Sequence, residues 1–318
     1  MSNGKKKNPF LSFLMNLFLV LIFLTGAGIL FYPTISNYWN QYRNNKLISS
    51  YSEVVNEIKP EDFSGLWDPA IEYNKNHRVN VISDGLAKDE ASAEGADGQT
   101  ETETEIPEED LLSEEYKALL DPAGNGIMGY IEIPKINVKL AVYHGVGPNA
   151  LEKGCGHIEG TSLPIGGEST HSVLSAHRGL PSAKLFTDLD QIKKGDKFSI
   201  TILDQTFMYR VDQIKEVLPS EISDLDIVEG KDYCTLVTCT PYGVNTHRLL
   251  VRGERIVLSQ TDDPEAEAES ETEVLEAEEE NLVIFGITIG LQEKMLAAGL
   301  GVFLVVVILL AVIFRKKK

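Results

Sequence analysis

Two long apolar stretches stand near the two ends of this 318-residue chain. The first, Phe10 to Tyr32, has 23 residues and no charge. At about 1.5 Å per residue it is long enough to cross a hydrocarbon core of about 30 Å. Thr25 and Ala27 would also suit the cleavage site of a signal peptide, but the apolar stretch continues through Phe31 beyond that point. The pattern therefore favours an uncleaved membrane anchor at residues 10–32.

The second apolar stretch, Met295 to Phe314, is followed at once by Arg315 and three lysines, and Lys5–Lys7 precede the first stretch. Because basic residues collect on the cytoplasmic side of membrane spans, residues 1–9 and 315–318 are both expected in the cytoplasm. The pattern predicts a second transmembrane helix at 295–314 and an extracellular domain between the two spans. Both spans would contact membrane lipid.

The hydrophobic pattern between the spans changes from helical to strand-like. Residues 33–88 have apolar positions at helical spacing, broken by Pro60 and Gly65. From about Ile127, closely spaced strand-like runs with turn residues between them predict a mainly β domain at 116–260, an antiparallel or mixed barrel. These runs are Gly129–Pro134, Lys139–Tyr143, His171–His177, Lys197–Leu203, Thr206–Val211, Asp232–Thr238 and Arg248–Arg252.

The net charge of −19 comes from two short segments. Residues 89–115 contain 12 carboxylates and residues 261–280 contain 11, with no Lys or Arg in either. Without these 23 carboxylates the chain has 25 acidic residues against 29 Lys and Arg. Because both segments are almost free of bulky apolar residues, we expect an acidic flexible insert at 89–115 and an acidic tether at 261–294. The acidity belongs to linkers, and no nucleic-acid partner is expected.

Cys239 is the cysteine whose sequence context suggests chemistry. It ends a strand-like run and precedes Thr240–Gly243, a turn sequence that ends strand pairing. If the next run pairs with it, Arg248 lies opposite, with the two Cβ atoms about 4.5 to 5.5 Å apart. A cation beside a thiol favours the thiolate and can bind an oxyanion. Cys155 and Cys234 form neither a CxxC pair nor a zinc-type spacing with histidine, so no metal is expected.

Cysteine catalysis also requires an imidazole within reach of the sulfur, and spacing alone does not choose among the six histidines. His177 is one candidate, because it follows a strand-like run and leads into a loop. The six are His77, His144, His157, His171, His177 and His247.

Two longer motifs contain these candidate residues. The main motif runs from Thr235 to Gly253, Thr-Leu-Val-Thr-Cys-Thr-Pro-Tyr-Gly-Val-Asn-Thr-His-Arg-Leu-Leu-Val-Arg-Gly, and a second is Ser175-Ala-His-Arg-Gly-Leu-Pro181. Both motifs resemble those of the sortase family, and of class C, pilin-polymerising sortases in particular. The resemblance covers roughly residues 127–256. Further matching segments are Gly129–Lys135, Tyr143–Gly145, Glu159–Gly167 and Leu185–Asp190.

The resemblance implies a closed eight-stranded β-barrel with short helices, flanked here by the two transmembrane helices. It makes Cys239 the nucleophile, His177 the acid/base, and Arg248 the group that positions substrate and stabilises the oxyanion. Cys155 and Cys234 have no place in the motif and are expected to have a structural or bystander role. His171 and His247 are expected to belong to the scaffold or the cleft wall.

The implied reaction is transpeptidation of surface proteins that carry an LPXTG-like sorting signal. The signal would be cleaved between Thr and Gly through a thioacyl enzyme, which a pilin lysine then resolves to assemble pili, without a cofactor. One alternative is a housekeeping sortase that attaches surface proteins to peptidoglycan. Another, of a different class, is a non-catalytic membrane scaffold that binds surface-protein peptides.

One departure from class C concerns the lid, a segment before the barrel with a short Asp-Pro-aromatic type of motif. Asp68-Pro69 is followed by Ala70 and lies in a stretch with helical spacing. Ile82–Leu86 stands at about the expected lid position without the Pro-aromatic pair, and Asp121-Pro122 is too near the barrel. A degenerate or replaced lid is therefore expected.

Overall fold

The structure is a computed structural model that describes residues 9–76, 112–256, 282–284 and 287–289. The predicted second span, most of the acidic insert, almost all of the acidic tether and the stretch Ile82–Leu86 lie outside these residues. The chain divides into two compact units, at 1–257 and 258–318. In the second unit, strands Leu282–Ile284 and Ile287–Ile289 pair antiparallel.

The N-terminal apolar stretch forms the first part of one long helix, α1 (Pro9–Glu57). By length and composition this helix can cross a membrane, and its most apolar window is not buried against protein. Pro33 lies inside α1, which continues well beyond Tyr32. A 3₁₀ turn that begins at Pro60 separates α1 from α2 (Ser64–Asn76), whereas Gly65 lies inside α2 and does not break it.

Eight strands form a closed barrel in the order β1-β2-β3-β4-β7-β8-β6-β5, which confirms the predicted fold. The β2–β3 and β4–β7 pairs are parallel and the other pairs are antiparallel, so the barrel is mixed. The strands are β1 Ile127–Ile133, β2 Val138–His144, β3 Cys155–His157, β4 Thr170–Ser175, β5 Lys197–Ile202, β6 Gln205–Val217, β7 Asp232–Thr240 and β8 His247–Arg255.

Short helical elements connect the strands, as expected. Two are single-turn α-helices, α3 (Glu114–Lys117) and α4 (Pro148–Leu151). Ser113 caps α3, because its hydroxyl accepts a hydrogen bond from the Tyr116 amide. The remaining elements are the 3₁₀ turns Pro134–Ile136, Leu189–Gln191 and Ser223–Leu225.

Strands β4, β7 and β8 are buried on both faces. Since side chains alternate along a strand, Cys234 and Leu236 point into the barrel core while Val237 points to the other face. A second group of apolar residues, here called the outer cluster, covers that other face. It contains Ile158, Val173, Val217, Leu225, Val237 and Leu250.

Candidate active site

Cys239 and Arg248 lie directly opposite each other on neighbouring antiparallel strands, β7 and β8, which confirms the predicted pairing. The pairing continues for one more step, since Thr240 also pairs with His247. The connecting loop is therefore 241–246. By alternation, Cys239 lies on the same face of β7 as Val237 and so at the edge of the outer cluster.

His177 comes to the same end of the barrel through the parallel pairing of β4 with β7. Ser175 is the register partner of Val237, and the next amide, that of Ala176, still donates to the Val237 carbonyl at 3.2 Å. Two residues beyond each of these partners stand His177 and Cys239. His177 lies two residues beyond the end of β4, so the pairing places it at the barrel end that carries Cys239. The His177 carbonyl accepts a hydrogen bond from the Phe186 amide at 3.1 Å.

Arg248 is almost completely buried, with 3% of its surface exposed. Its Nη1 donates to the carbonyls of Asn245 and His247 at 3.2 and 3.4 Å, so the guanidinium is tied to the β7–β8 loop. Leu250 of the outer cluster follows on the same face of β8. Because the Arg248 guanidinium is buried beside apolar side chains, water screens its charge only weakly. This strengthens its interaction with a neighbouring thiolate or oxyanion.

Arg252 has a different environment although it lies on the same face of β8. Its Nε and Nη2 bind the two carboxylate oxygens of Asp212 at 3.1 and 2.6 Å. Its guanidinium also lies over the Tyr233 ring, 4.1 Å from the centroid. Arg252 pairs across the ladder with Thr235, four residues before Cys239.

The other two cysteines lie inside the barrel, away from solvent. Cys155 and Cys234 are completely buried in the barrel core, and burial raises the pKa of both thiols well above the usual value. Cys239 is half-buried. Within the described residues, no group of His, Cys, Asp and Glu side chains could hold a metal ion.

Two histidines are held deep in the scaffold. His157 is fully buried, with Nδ1 2.8 Å from the Tyr116 hydroxyl and Nε2 2.9 Å from the Ser162 carbonyl. Burial lowers the pKa of His157 to about 4. Both ring nitrogens of His144 likewise contact backbone carbonyls, at 2.6 and 3.1 Å.

His171 lies on β4, and scaffold groups occupy both of its ring nitrogens. Its Nδ1 lies 2.9 Å from the Asp226 carbonyl and its Nε2 2.7 Å from the Thr235 hydroxyl. His247 neighbours Arg248 on β8, so alternation turns its side chain to the opposite face from Cys239. His77 lies outside the described residues.

The first lid candidate lies far from Cys239. Asp68-Pro69 belongs to α2, and the preceding Trp67 donates to Asp204 at 3.2 Å. Asp204 belongs to the β5–β6 turn, at the barrel end opposite Cys239, because β6 runs from this turn to Val217, the partner of Arg248. Asp68-Pro69 therefore does not cover the candidate site.

Asp121, the second described lid candidate, has a local structural role. Its carboxylate accepts hydrogen bonds from the amides of Asn125 and Gly126 at 3.0 and 2.9 Å, which fixes the turn before β1.

A residue whose role the sequence did not reveal is Arg178. Its side chain is only 7% exposed, its Nη2 binds Asp190, and its Nη1 donates to the Thr240 hydroxyl at 3.2 Å. Arg178 thus links the residue after His177 to the residue after Cys239. The motif Ser-Ala-His-Arg-Gly contained this arginine, but nothing in the linear pattern indicated its partners.

Comparisons with known proteins agree with this architecture. A sequence model of the sortase domain matches residues 131–256. Sortase A of Streptococcus agalactiae serotype III (strain NEM316) is 27% identical over 258 residues, which cover 80% of this chain and 89% of that protein. Sortase D of Bacillus subtilis (strain 168) is 30% identical over 143 residues, 44% of this chain and 69% of that protein.

Solved structures of sortases are also similar to this chain. The crystal structure of sortase C1 from Streptococcus agalactiae is 47% identical in sequence, with a TM-score of 0.55. The match covers 67% of this chain and 100% of that chain. A Streptococcus pneumoniae sortase C structure has 38% identity and a TM-score of 0.54, with 67% and 97% covered. The chain belongs to the sortase family of cysteine transpeptidases. Within that family its structural neighbours assign it to class C.

Proposed function

We propose that this class C sortase joins pilin subunits, with Cys239, His177 and Arg248 as its catalytic residues. The observation that carries the proposal is the direct pairing of Cys239 with Arg248 at the barrel end to which β4 also leads, two residues before His177. The solved relatives add support for the substrate. One 38% identical relative is described in terms of pilin substrate specificity, and a 39% identical one as a pilus-related sortase C of Group B Streptococcus.

In the first half-reaction, the Cys239 sulfur attacks the Thr carbonyl carbon of an LPXTG-like signal. The tetrahedral oxyanion accepts hydrogen bonds from Arg248, and the Thr–Gly C–N bond then breaks as His177 gives its proton to the leaving glycine amine. The products are a thioester on Cys239 and a peptide that begins with Gly. Side chains carry all the charge and proton transfers, so no cofactor is required.

In the second half-reaction, the ε-amine of a pilin lysine attacks the thioester carbonyl. His177, now neutral, accepts a proton from the attacking nitrogen, and the Cys239 thiolate leaves. The new bond is an isopeptide bond, and the resting pair of thiolate and imidazolium is restored. Arg248 stabilises the oxyanion in both halves, because both pass through a tetrahedral intermediate at the same carbon.

The direct test uses the full chain in lipid vesicles with candidate pilins, followed by mass spectrometry of the products. A ladder of pilins joined through lysine supports the proposal. A Cys239 thiol that never forms a thioester with any sorting-signal peptide would contradict it and favour the non-catalytic scaffold.

The sortase A relatives favour a second candidate, attachment of surface proteins to a peptidoglycan amine. The chemistry on Cys239 is identical in this case and only the acceptor amine differs. A peptide-to-wall adduct has a different mass from a pilin ladder, so the same experiment distinguishes the two candidates.

Arg178 is expected to be a positioning residue for His177. Because it links the two segments that carry His177 and Cys239, Arg178→Ala should lower kcat between about tenfold and a hundredfold, the range expected when reacting groups are misplaced by about 1 Å. KM should change little. Rates are normalised to active sites titrated with a thiol reagent, so that a loss of folded protein is not counted as a loss of kcat.

Asp190→Asn is the matched variant, since it removes the charge partner of Arg178 without touching the segment of His177. A smaller loss of kcat in the same direction is expected. If kcat per active site is unchanged in Arg178→Ala, the positioning role is wrong.

The membrane topology is also part of the proposal: a two-pass protein of the cell membrane, with an extracellular catalytic domain and both ends in the cytoplasm. In the Cys239→Ala background, a thiol reagent that cannot cross membranes should label Cys introduced within 89–110 or 265–280. It should not label Lys316→Cys until the membrane is permeabilised. Labelling of Lys316→Cys in intact cells, with none in the acidic tether, would overturn this topology.

A further inference from the structure

The half of α1 that follows the apolar stretch is fixed to the segment after His177 by a row of polar side chains. Ser36 Oγ and Asn40 Nδ2 both donate to the Ser182 carbonyl, at 2.9 and 2.6 Å. Asn37 Oδ1 accepts a hydrogen bond from the Lys184 amide at 2.9 Å. Helix α1 therefore first contacts the barrel domain at the β4–β5 connection. This connection starts at the end of the barrel that carries Cys239, here called the catalytic end, and it contains His177.

Further along, α1 follows the barrel wall towards the opposite end. Asn44 Oδ1 accepts a hydrogen bond from the Ala141 amide of β2 at 3.2 Å. The Tyr51 hydroxyl then donates to the Met128 carbonyl at 2.6 Å and accepts from the Leu203 amide at 2.8 Å. Leu203 belongs to the β5–β6 turn, the end opposite Cys239. The order of these contacts means that the apolar end of α1 projects from the catalytic end of the barrel.

Exposed aromatic side chains mark the level at which α1 would leave the bilayer. Tyr38, Trp39 and Tyr42 are 64%, 60% and 54% exposed and point away from the barrel. Trp and Tyr are enriched at the membrane–water interface. The row from Ser36 to Asn40 lies within the same helical turns, and Ser36 is only about 6 Å beyond Tyr32 along the helix. If α1 spans the bilayer, the segment around Ser182 lies at the level of the interface.

The β7–β8 loop gives the catalytic end an apolar rim. Tyr242 and Val244 are 59% and 63% exposed, next to Cys239 in the chain. Tyr242 packs on the segment after His177, since a Cβ atom on Gly179 would lie 3.1 Å from its ring. Exposed aromatic and aliphatic side chains at this end suit a lipid headgroup region, where one side of the ring is apolar and its hydroxyl is hydrated.

We propose that the catalytic end of the barrel rests on the lipid surface, with the rim of Tyr242 and Val244 in the headgroup region. The site would then receive sorting signals that are themselves held close to the membrane. This inference rests on the part of the proposed function that makes α1 a membrane anchor. Pro33 can bend α1 and so tilt the barrel, but a bend does not reverse the order of contacts along the helix.

The test measures how close each end of the barrel lies to lipid in the full chain. Val244→Cys and, as the matched control, Gln205→Cys are made in the Cys239→Ala background and labelled with a small thiol-reactive fluorophore. Cys155 and Cys234 are buried and should not be labelled. Gln205 begins β6 at the far end, about 30 Å from the rim for a 13-residue strand tilted in a barrel.

After reconstitution in phosphatidylcholine and phosphatidylglycerol vesicles, lipids with a nitroxide on the headgroup should quench the label at Val244 several-fold more strongly than the label at Gln205. Equal quenching at both positions, or stronger quenching at Gln205, would overturn the orientation. The orientation would also be wrong if the chain does not rise with the vesicles in a flotation gradient.

The failure of this inference is separable from that of the catalytic proposal. The unlabelled chain with Cys239 intact is tested in the same vesicles for thioester formation with an LPXTG-like peptide. A thioester together with equal quenching refutes the orientation alone. Strong quenching at Val244 without any thioester refutes the catalytic role and leaves the orientation standing.

Discussion

Replacing Cys239 by alanine should abolish both the cleavage of an LPXTG-like peptide and the formation of pilin cross-links. Loss of a catalytic nucleophile of this kind lowers kcat by on the order of 10⁶-fold in comparable covalent enzymes. Cys239 is half-buried at a strand end, so a small apolar side chain fits and the barrel should remain folded. Mass spectrometry of the enzyme after incubation with peptide measures the loss of the thioester. Circular dichroism measures whether the barrel is still folded.

Cys155→Ala and Cys234→Ala are the matched controls, because both remove a thiol from the same barrel. Their side chains are completely buried, so the expected cost is in stability, on the order of 1 kcal/mol for a small buried group. That corresponds to a decrease in Tm of about 2 to 4 °C for a domain of this size. Most of the activity should remain. Cleavage activity in Cys239→Ala would remove this residue as the nucleophile.

The second large effect is expected for Arg248→Lys. Lysine keeps the positive charge but loses the planar pair of donors. Arg248 faces Cys239 across the ladder while its Nη1 binds the Asn245 carbonyl, and a single ammonium group cannot reproduce both contacts. If one oxyanion donor is lost, kcat should fall by on the order of a hundredfold. Single-turnover rates of thioester formation measure this directly.

Arg252→Lys is the control for charge and strand position. Arg252 lies four residues further along β8, about 13 Å away at roughly 3.3 Å per residue, and it binds Asp212. It cannot reach an oxyanion on Cys239, so the replacement should leave the rate of thioester formation nearly unchanged. Equal losses for the two replacements, or a larger loss for Arg252→Lys, would take the assigned role from Arg248.

The local elements of this protein could be predicted from the sequence. The uncharged stretch from Phe10 to Tyr32 is long enough to be a spanning helix, and the α1 helix of the structure contains it. The strand-like runs and the turn residues between them, from Ile127 onward, were enough to predict a mainly β domain. Cys239 and Arg248 could be paired as well, since they belong to successive strands joined by a short loop, and such a hairpin is a local contact.

The tertiary structure alone showed which of two histidines is held by the scaffold. His171 and His177 have the same parity along one strand-like run, so the pattern did not separate them. The Asp226 carbonyl and the Thr235 hydroxyl occupy the ring nitrogens of His171, and the parallel β4–β7 pairing brings the chain before His177 to the barrel end of Cys239. Parallel strands are joined by long crossovers, so no local signal specifies the partner or its register.

The same reason explains the other features that linear patterns did not reveal. Strand β3 has only three residues, too few for a recognisable alternation, and it is defined by its parallel pairing with β2. The partners of Arg178 and the polar contacts of α1 join residues distant in the chain, Thr240 in the first case and Ser182 in the second. The sequence by itself determined the apolar helix, the longer strands and the hairpin of Cys239 and Arg248, because these depend on neighbouring residues. Only the closed barrel decided that β4 and β7 are parallel partners and from which end of the barrel α1 projects, because these depend on contacts between residues far apart in the chain.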